Sequence, residues 1–108
     1  MREDIRCIRI TLKPGMREAA LAWAKEVMRR ADEAHAALRE EGVSLEAAFL
    51  DSLDGRDYLV YVMKGDLKKS RAVAQASVRA IDALHRQFKQ DCWENATPLA
   101  PMIWLEAA

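Results

Sequence analysis

The chain is poor in the residues that most often announce a chemistry. Only two of its 108 residues are cysteines, Cys7 and Cys92, near opposite ends and without framework spacing. This excludes a disulfide scaffold and leaves two reduced thiols as the default. There are four glycines, and each has a structural use: Gly15 after a strand, Gly42 at a helix end, Gly55 in a hairpin and Gly65 before a helix. None is left for a phosphate cradle. The P-loop, dinucleotide and Gly-x-Ser-x-Gly patterns are all missing, so nucleotide-binding and hydrolase readings drop out. The two histidines, His35 and His85, form no ligand set either. His85 and Cys92 lie about 10.5 Å apart along a helix at 1.5 Å per residue, and no metal is expected.

Charge of one sign is also absent. Seventeen basic residues balance seventeen acidic ones, and no basic cluster is interleaved with aromatics, so nucleic acid is not an expected partner. No apolar run is long enough for a bilayer, where about 20 residues are needed. The longest charge-free segment near either end, Ala96 to Leu105, is broken by Pro98 and Pro101. Met1-Arg2-Glu3-Asp4 passes straight into a strand-like run without a signal-peptide apolar region. The expectation is a cytoplasmic protein with no membrane partner and no cofactor.

What remains is a globular balance, 51% apolar and 31% charged, in one domain over residues 1–108. A chain of this size can bury roughly 60 to 70% of its unfolded surface.

Ile8, Ile10 and Leu12 alternate with Cys7, Arg9 and Thr11, as a strand with two unlike faces does. Lys13-Pro14-Gly15 ends that strand, because proline cannot continue a ladder. From Met16, an apolar stripe of Ala20, Trp23, Val27, Ala31, Ala34 and Leu38 predicts one amphipathic helix of about seven turns, stopped by Gly42. Val43 to Asp51 and Tyr58 to Met63 read as strands joined by Asp54-Gly55, a type I′ hairpin signal that pairs Leu53 with Arg56. One hairpin face then holds Val43, Leu45, Ala47, Phe49, Tyr58, Val60 and Val62. The other holds Glu46, Ala48, Leu50, Leu59, Tyr61 and Met63. Asp66 is placed to cap a second helix carrying Leu67, Ala74, Val78, Ile81, Leu84, His85, Phe88 and Cys92 on its stripe. Ser77 can break it in two. Leu99 to Leu105 reads as a final edge strand.

The order is βαββαβ, an α+β ferredoxin-like arrangement with a four-stranded antiparallel sheet and helices on one face. Helices in one layer cover one sheet face, yet the hairpin is apolar on both. A second copy of the chain is the simplest cover, which makes a homodimer the expected assembly.

Leu12-Lys13-Pro14-Gly15, Glu41-Gly42-Val43 with Glu46 and Phe49, Tyr58-Leu59, and Ile81-Asp82 with His85 resemble an uncharacterised bacterial family of the dimeric α/β-barrel superfamily. The resemblance implies the fold and a dimer whose two sheets pack face to face. It leaves the chemistry open, because relatives include cofactor-free monooxygenases, isomerases, haem-degrading enzymes and proteins of no known activity.

Two constellations are candidates for a small-molecule site. His85 sits in an otherwise apolar stripe, where its ring must find a hydrogen-bond partner. It is either a core-edge residue or an acid/base or ligand-orienting group in a gap between helix and sheet. Asp82, one turn earlier, either orients that ring or pairs with Arg86. The second constellation is Arg9, Glu46 and Tyr61, expected together on the face away from the helices. They form either a buried ion pair with a hydrogen-bonding neighbour or a ligand site in which Arg9 holds a polar head and Glu46 is the base, lined by Met63, Leu59 and Trp104. Trp23, Phe49 and Phe88 read as core.

The leading expectation is a homodimeric small-molecule-binding or cofactor-free enzyme-like protein. One rival is a structural dimer without a ligand site. The other is a haem-binding monooxygenase-like protein, because haem-degrading relatives draw an axial histidine from the second helix.

Overall fold

In the computed structural model, which describes residues 3–107, the first strand β1 spans Asp4–Leu12. Its alternation has the expected outcome: Ile10 and Leu12 are 0% and 1% exposed, each burial contributing roughly 1.5–3 kcal/mol. Lys13-Pro14-Gly15 turns the chain, and Met16 N–H closes the turn on the Lys13 carbonyl at 3.2 Å.

Two helices follow where one was expected, α1 (Arg17–Arg29) and α2 (Ala31–Glu41). The junction is Arg30, with φ −105° and ψ 37°, and no proline or glycine marks it. Tertiary contacts explain the break. The Arg30 guanidinium grips Glu33 with bonds of 2.8 and 3.0 Å, and Glu33 Oε1 accepts the Ile81 backbone N–H at 3.1 Å. Glu33 thereby caps the start of another helix, satisfying one of its free N–H groups.

Gly42 ends α2 in the left-handed conformation. Strands β2 (Val43–Leu53) and β3 (Arg56–Gly65) form the hairpin, with Leu53 opposite Arg56 as expected. Asp54 and Gly55 both have positive φ, 51° and 76°, the requirement of a type I′ turn. Gly65 serves close approach: a Cβ there would lie 2.4 Å from the Gly42 carbonyl oxygen, so the ends of α2 and β3 meet only because that position has no side chain.

The second helical region also divides, into α3 (Leu67–Ala76) and α4 (Ala80–Cys92). Asp66 caps α3 by accepting Lys69 N–H at 3.1 Å, as expected. The break falls at Ser77, as its competing hydroxyl suggested: Ser77 Oγ accepts Arg79 N–H at 3.1 Å and donates to Asp82 Oδ2 at 2.5 Å.

The last strand departs from expectation. β4 is Trp93–Leu99, running directly out of α4. Residues 100–107 form no regular element. Pro98 sits in this strand, which is tolerable because β4 is a sheet edge. Helix and strand share a boundary here because Lys13 clasps the end of α4, its N–H on the Cys92 carbonyl at 2.8 Å.

The strands form one antiparallel sheet in the order β2-β3-β1-β4, and the class is α+β. The core joins Ile10, Leu12 and Leu59 of the sheet to Ala20, Phe88 and Cys92 of the helices. Among the described residues no helix is long and apolar enough to cross a membrane.

The hairpin face that meets the helices is the opposite of the one expected. Register pairs Ile8 with Tyr61 and Ile10 with Leu59, so Glu46, Leu50, Leu59, Tyr61 and Met63 share the helix side with Ile8. Phe49 and Leu45, on the other face, remain 60% and 45% exposed. Arg9 pairs with Val60 and lies over the Tyr58 ring at 5.9 Å. It is therefore on the face away from Glu46 and Tyr61, and the expected trio and its Arg9–Glu46 ion pair do not form.

Candidate functional site

The helix layer does not fill the space above the sheet. A cavity of about 380 Å³ lies between α3 and α4 and the strands, floored by Ile8 and Ile10 of β1, Glu46 of β2, and Tyr61 and Met63 of β3. Its volume falls in the range of small-molecule pockets, roughly 300–1,000 Å³. A second lobe of about 250 Å³ continues beneath α1 and α2, among Val27, Ala31 and Leu38. Trp23, Glu46, Tyr61 and His85 border both lobes and so stand at their junction.

His85 has the partner that its apolar surroundings demand, and it is Trp23: the indole Nε1–H donates to His85 Nδ1 at 3.1 Å. Indole nitrogen can only donate, so Nδ1 must be bare and the ring proton resides on Nε2. His85 is thus a neutral imidazole whose remaining polar group is an N–H donor. Burial, the main cause, holds its pKa below the ordinary value; the Lys89 ammonium adds to this and Asp82 opposes it. Trp23 in turn stacks on Phe88, with ring centroids 4.2 Å apart, which fixes the donor. Asp82 does not pair with Arg86, whose guanidinium bonds the Ala74 carbonyl at 3.2 Å.

Three carboxyl groups line the same cavity: Glu41, Glu46 and Asp82. Glu41 and Asp82 are 9% and 5% exposed. Burial, with repulsion from Asp82, Glu46 and Glu40, raises the Glu41 pKa from 4.5 to about 7, against an opposing pull from Lys89. Glu46 is raised as well, chiefly by burial and further by Asp82, again opposed by Lys89. The basic residues that border the cavity, Arg6, Arg71, Arg86 and Lys89, are by contrast exposed. The Lys89 ammonium lies 5.1 Å over the Trp93 ring. The Trp93 indole N–H is buried and has no hydrogen-bond partner among the described residues.

Of the residues singled out in the sequence, the fold brings five to this cavity: His85, Glu46, Tyr61, Met63 and Asp82. Arg9 lies on the other sheet face. Trp104, expected on a strand, lies beyond β4 in the irregular segment, 41% exposed, and borders neither lobe. Trp93, which its place just off the helix stripe leaves open to a pocket or a dimer seam, also borders the cavity, while Glu41 and Ser70 were missed. Glu41 precedes the helix-ending Gly42 and reads as a surface charge; Ser70 lies on an apolar stripe, a signal like that of His85, and is 4% exposed.

Among the described residues, no three His, Cys, Asp or Glu side chains converge tightly enough to hold a metal ion, and Cys7 and Cys92 are free thiols. The arrangement offers an apolar and aromatic enclosure, a Glu41 carboxyl with a pKa of about 7, a Glu46 carboxyl shifted up by burial, and an imidazole N–H donor.

A family model described as "Family of unknown function (DUF6176)" matches residues 3–107, and the chain belongs to that family. No curated protein matches it.

Proposed function

Taking membership of that family as the premise, we propose that the protein is a homodimeric small-molecule-binding or cofactor-free enzyme-like protein whose ligand sits in the chamber beneath its helices. The observation that carries this reading is the two-lobed chamber with Glu46, Tyr61 and His85 at its junction. In this reading Glu46, whose pKa burial raises above the ordinary carboxyl value, takes or gives the proton. The Nε2–H of His85 and the Tyr61 hydroxyl donate to an oxygen on the ligand, and Met63 and Asp82 complete the lining.

The assembly is proposed on separate grounds. The element order and the strand order β2-β3-β1-β4 support a ferredoxin-like reading. The sheet face turned from the helices carries Leu45, Phe49 and Leu99, 41–60% exposed. A twin sheet of the same character is its natural cover, giving the dimeric α/β barrel.

Against a purely structural dimer stands the chamber itself, which a protein built only to pair has no need to keep open. Against haem ligation stands the tautomer of His85. Coordination through Nε2 would move the proton to Nδ1, where it would face the Trp23 N–H donor-to-donor. Haemin added to the protein is therefore expected to show no Soret shift.

Saturation-transfer NMR with a panel of monocyclic aromatic and aliphatic fragments tests the binding reading. Ala74, on α3, borders the chamber, and Ala74→Trp fills it. Fragments that receive saturation from the wild type and lose it with a folded Ala74→Trp variant support the site. A panel that receives none, or that is indifferent to the plug, overturns it.

A further inference from the structure

The chamber sorts charge by depth. Its acids, Glu41 and Asp82, are buried, while every basic residue that borders it is exposed. Asp82 has the Ser77 hydroxyl on one oxygen. Glu41 and Glu46 make no hydrogen bond or ion pair among the described residues, and Glu41 is only 9% exposed, its carboxyl oxygens keeping contact with the open chamber alone. Buried carboxylates are normally paired, because stripping water from an unpaired one costs several kcal/mol. Three that repel one another in one cavity make the missing partner more conspicuous.

The basic residues at the rim form no ion pair with these acids among the described residues, although the Lys89 ammonium draws on Glu41 and Glu46 from a distance. The Lys89 ammonium lies over Trp93, Arg86 is engaged by a carbonyl, and the carboxyl groups are not gathered as a metal ion requires. What the chamber has instead is room and apolar walls, with the stacked Trp23–Phe88 pair on one side. An organic body with a positively charged head fits the acids and the apolar walls together.

We propose that the chamber takes a small organic ammonium ion, its charged head among Glu41, Glu46 and Asp82 and its apolar body against Trp23 and Phe88. This inference rests on the reading of the chamber as a binding site and adds the ligand's charge.

Isothermal titration with three isosteres near pH 8 separates the two claims: 2-phenylethylamine (cation), 2-phenylethanol (neutral) and 3-phenylpropanoate (anion). The amine is expected to bind at least about tenfold more tightly than the alcohol, since charge-assisted bonds are the stronger, and the propanoate not measurably. Glu41→Gln and Glu46→Gln should each weaken the amine several-fold and leave the alcohol unchanged. Should one variant fail to fold, the other and the isostere series still decide. Equal binding of amine and alcohol, blocked by Ala74→Trp, would sink the ammonium claim and leave the chamber as a site. Binding of the alcohol or the propanoate in preference to the amine, or no binding of the amine, would sink it too, and the fragment panel then judges the chamber alone.

Discussion

Replacing Glu41 by Gln should stabilise the protein above neutral pH and do nothing in acid. The Glu41 carboxyl has a pKa of about 7 in the fold against 4.5 for the free group. The folded state therefore holds its proton more tightly than the unfolded chain does. As pH rises through 4.5 the unfolded chain ionises first and gains free energy that the fold does not; above about 7 the loss of stability is complete. At about 1.4 kcal/mol per tenfold in proton affinity, the ceiling is roughly 3 kcal/mol, and water in the chamber lowers it to about 1–3 kcal/mol. Glutamine mimics the protonated acid in shape and removes the repulsion from Asp82, Glu46 and Glu40. Urea unfolding at one fixed protein concentration, near pH 4 and near pH 8, measures the difference. The variant should gain about 1–3 kcal/mol near pH 8, a Tm rise of at least about 5 °C, and match the wild type near pH 4. An equal effect at both pH values, or destabilisation near pH 8, would refute the idea that Glu41 is held ionised against an unfavourable field.

Three further outcomes follow from named contacts. Trp23→Phe keeps a ring on Phe88 but removes the donor to His85; it should cost about 1 kcal/mol and raise the His85 pKa in an NMR titration, because Nδ1 is then free to accept a proton. Ser77→Ala leaves the buried Asp82 carboxylate without its donor, and thermal unfolding should show a loss of about 1–3 kcal/mol. Phe49→Asp puts a charge on the open sheet face; light scattering should find a dimer for the wild type and a monomer for the variant, and a wild type monomeric at working concentrations would end the proposed pairing.

The parts of this fold that were legible are those encoded by neighbours in sequence. Asp54-Gly55 needs only its own φ angles, and with it came the register of β2 and β3. Gly42, Asp66 and Ser77 act within one turn of themselves, and each has the role its chemistry suggests. The kink at Arg30 was hidden because its cause is remote: Glu33 is drawn to the N-terminus of α4. The choice of hairpin face was hidden for a related reason. Alternation gives both faces the same period, and only the pairing of β3 with β1, joined by no tight turn, decides which one meets the helices. The pattern alone therefore groups Arg9 with Glu46 and Tyr61, although an odd number of steps along β1 separates it from Ile8, the partner of Tyr61. Trp104 falls outside the last strand because β4 begins straight from α4, with no loop to announce it.

The site was partly legible by the same logic. His85 stood out because a polar ring on an apolar stripe has to be satisfied, but its partner, Trp23, belongs to another helix and reads there as plain core. Glu41 carried no local sign at all. Its burial arises from the close approach of α2 to β3 at Gly42 and Gly65, a contact between segments far apart in the chain.

The most direct test is a crystal structure of the protein soaked with a mixture of small amines and alcohols. Density for a fragment between the β1–β3 floor and α4, within hydrogen-bonding reach of Glu46, Tyr61 or His85 Nε2, is the predicted result. A chamber closed by its own side chains, or fragments found only elsewhere on the molecule, would contradict the account.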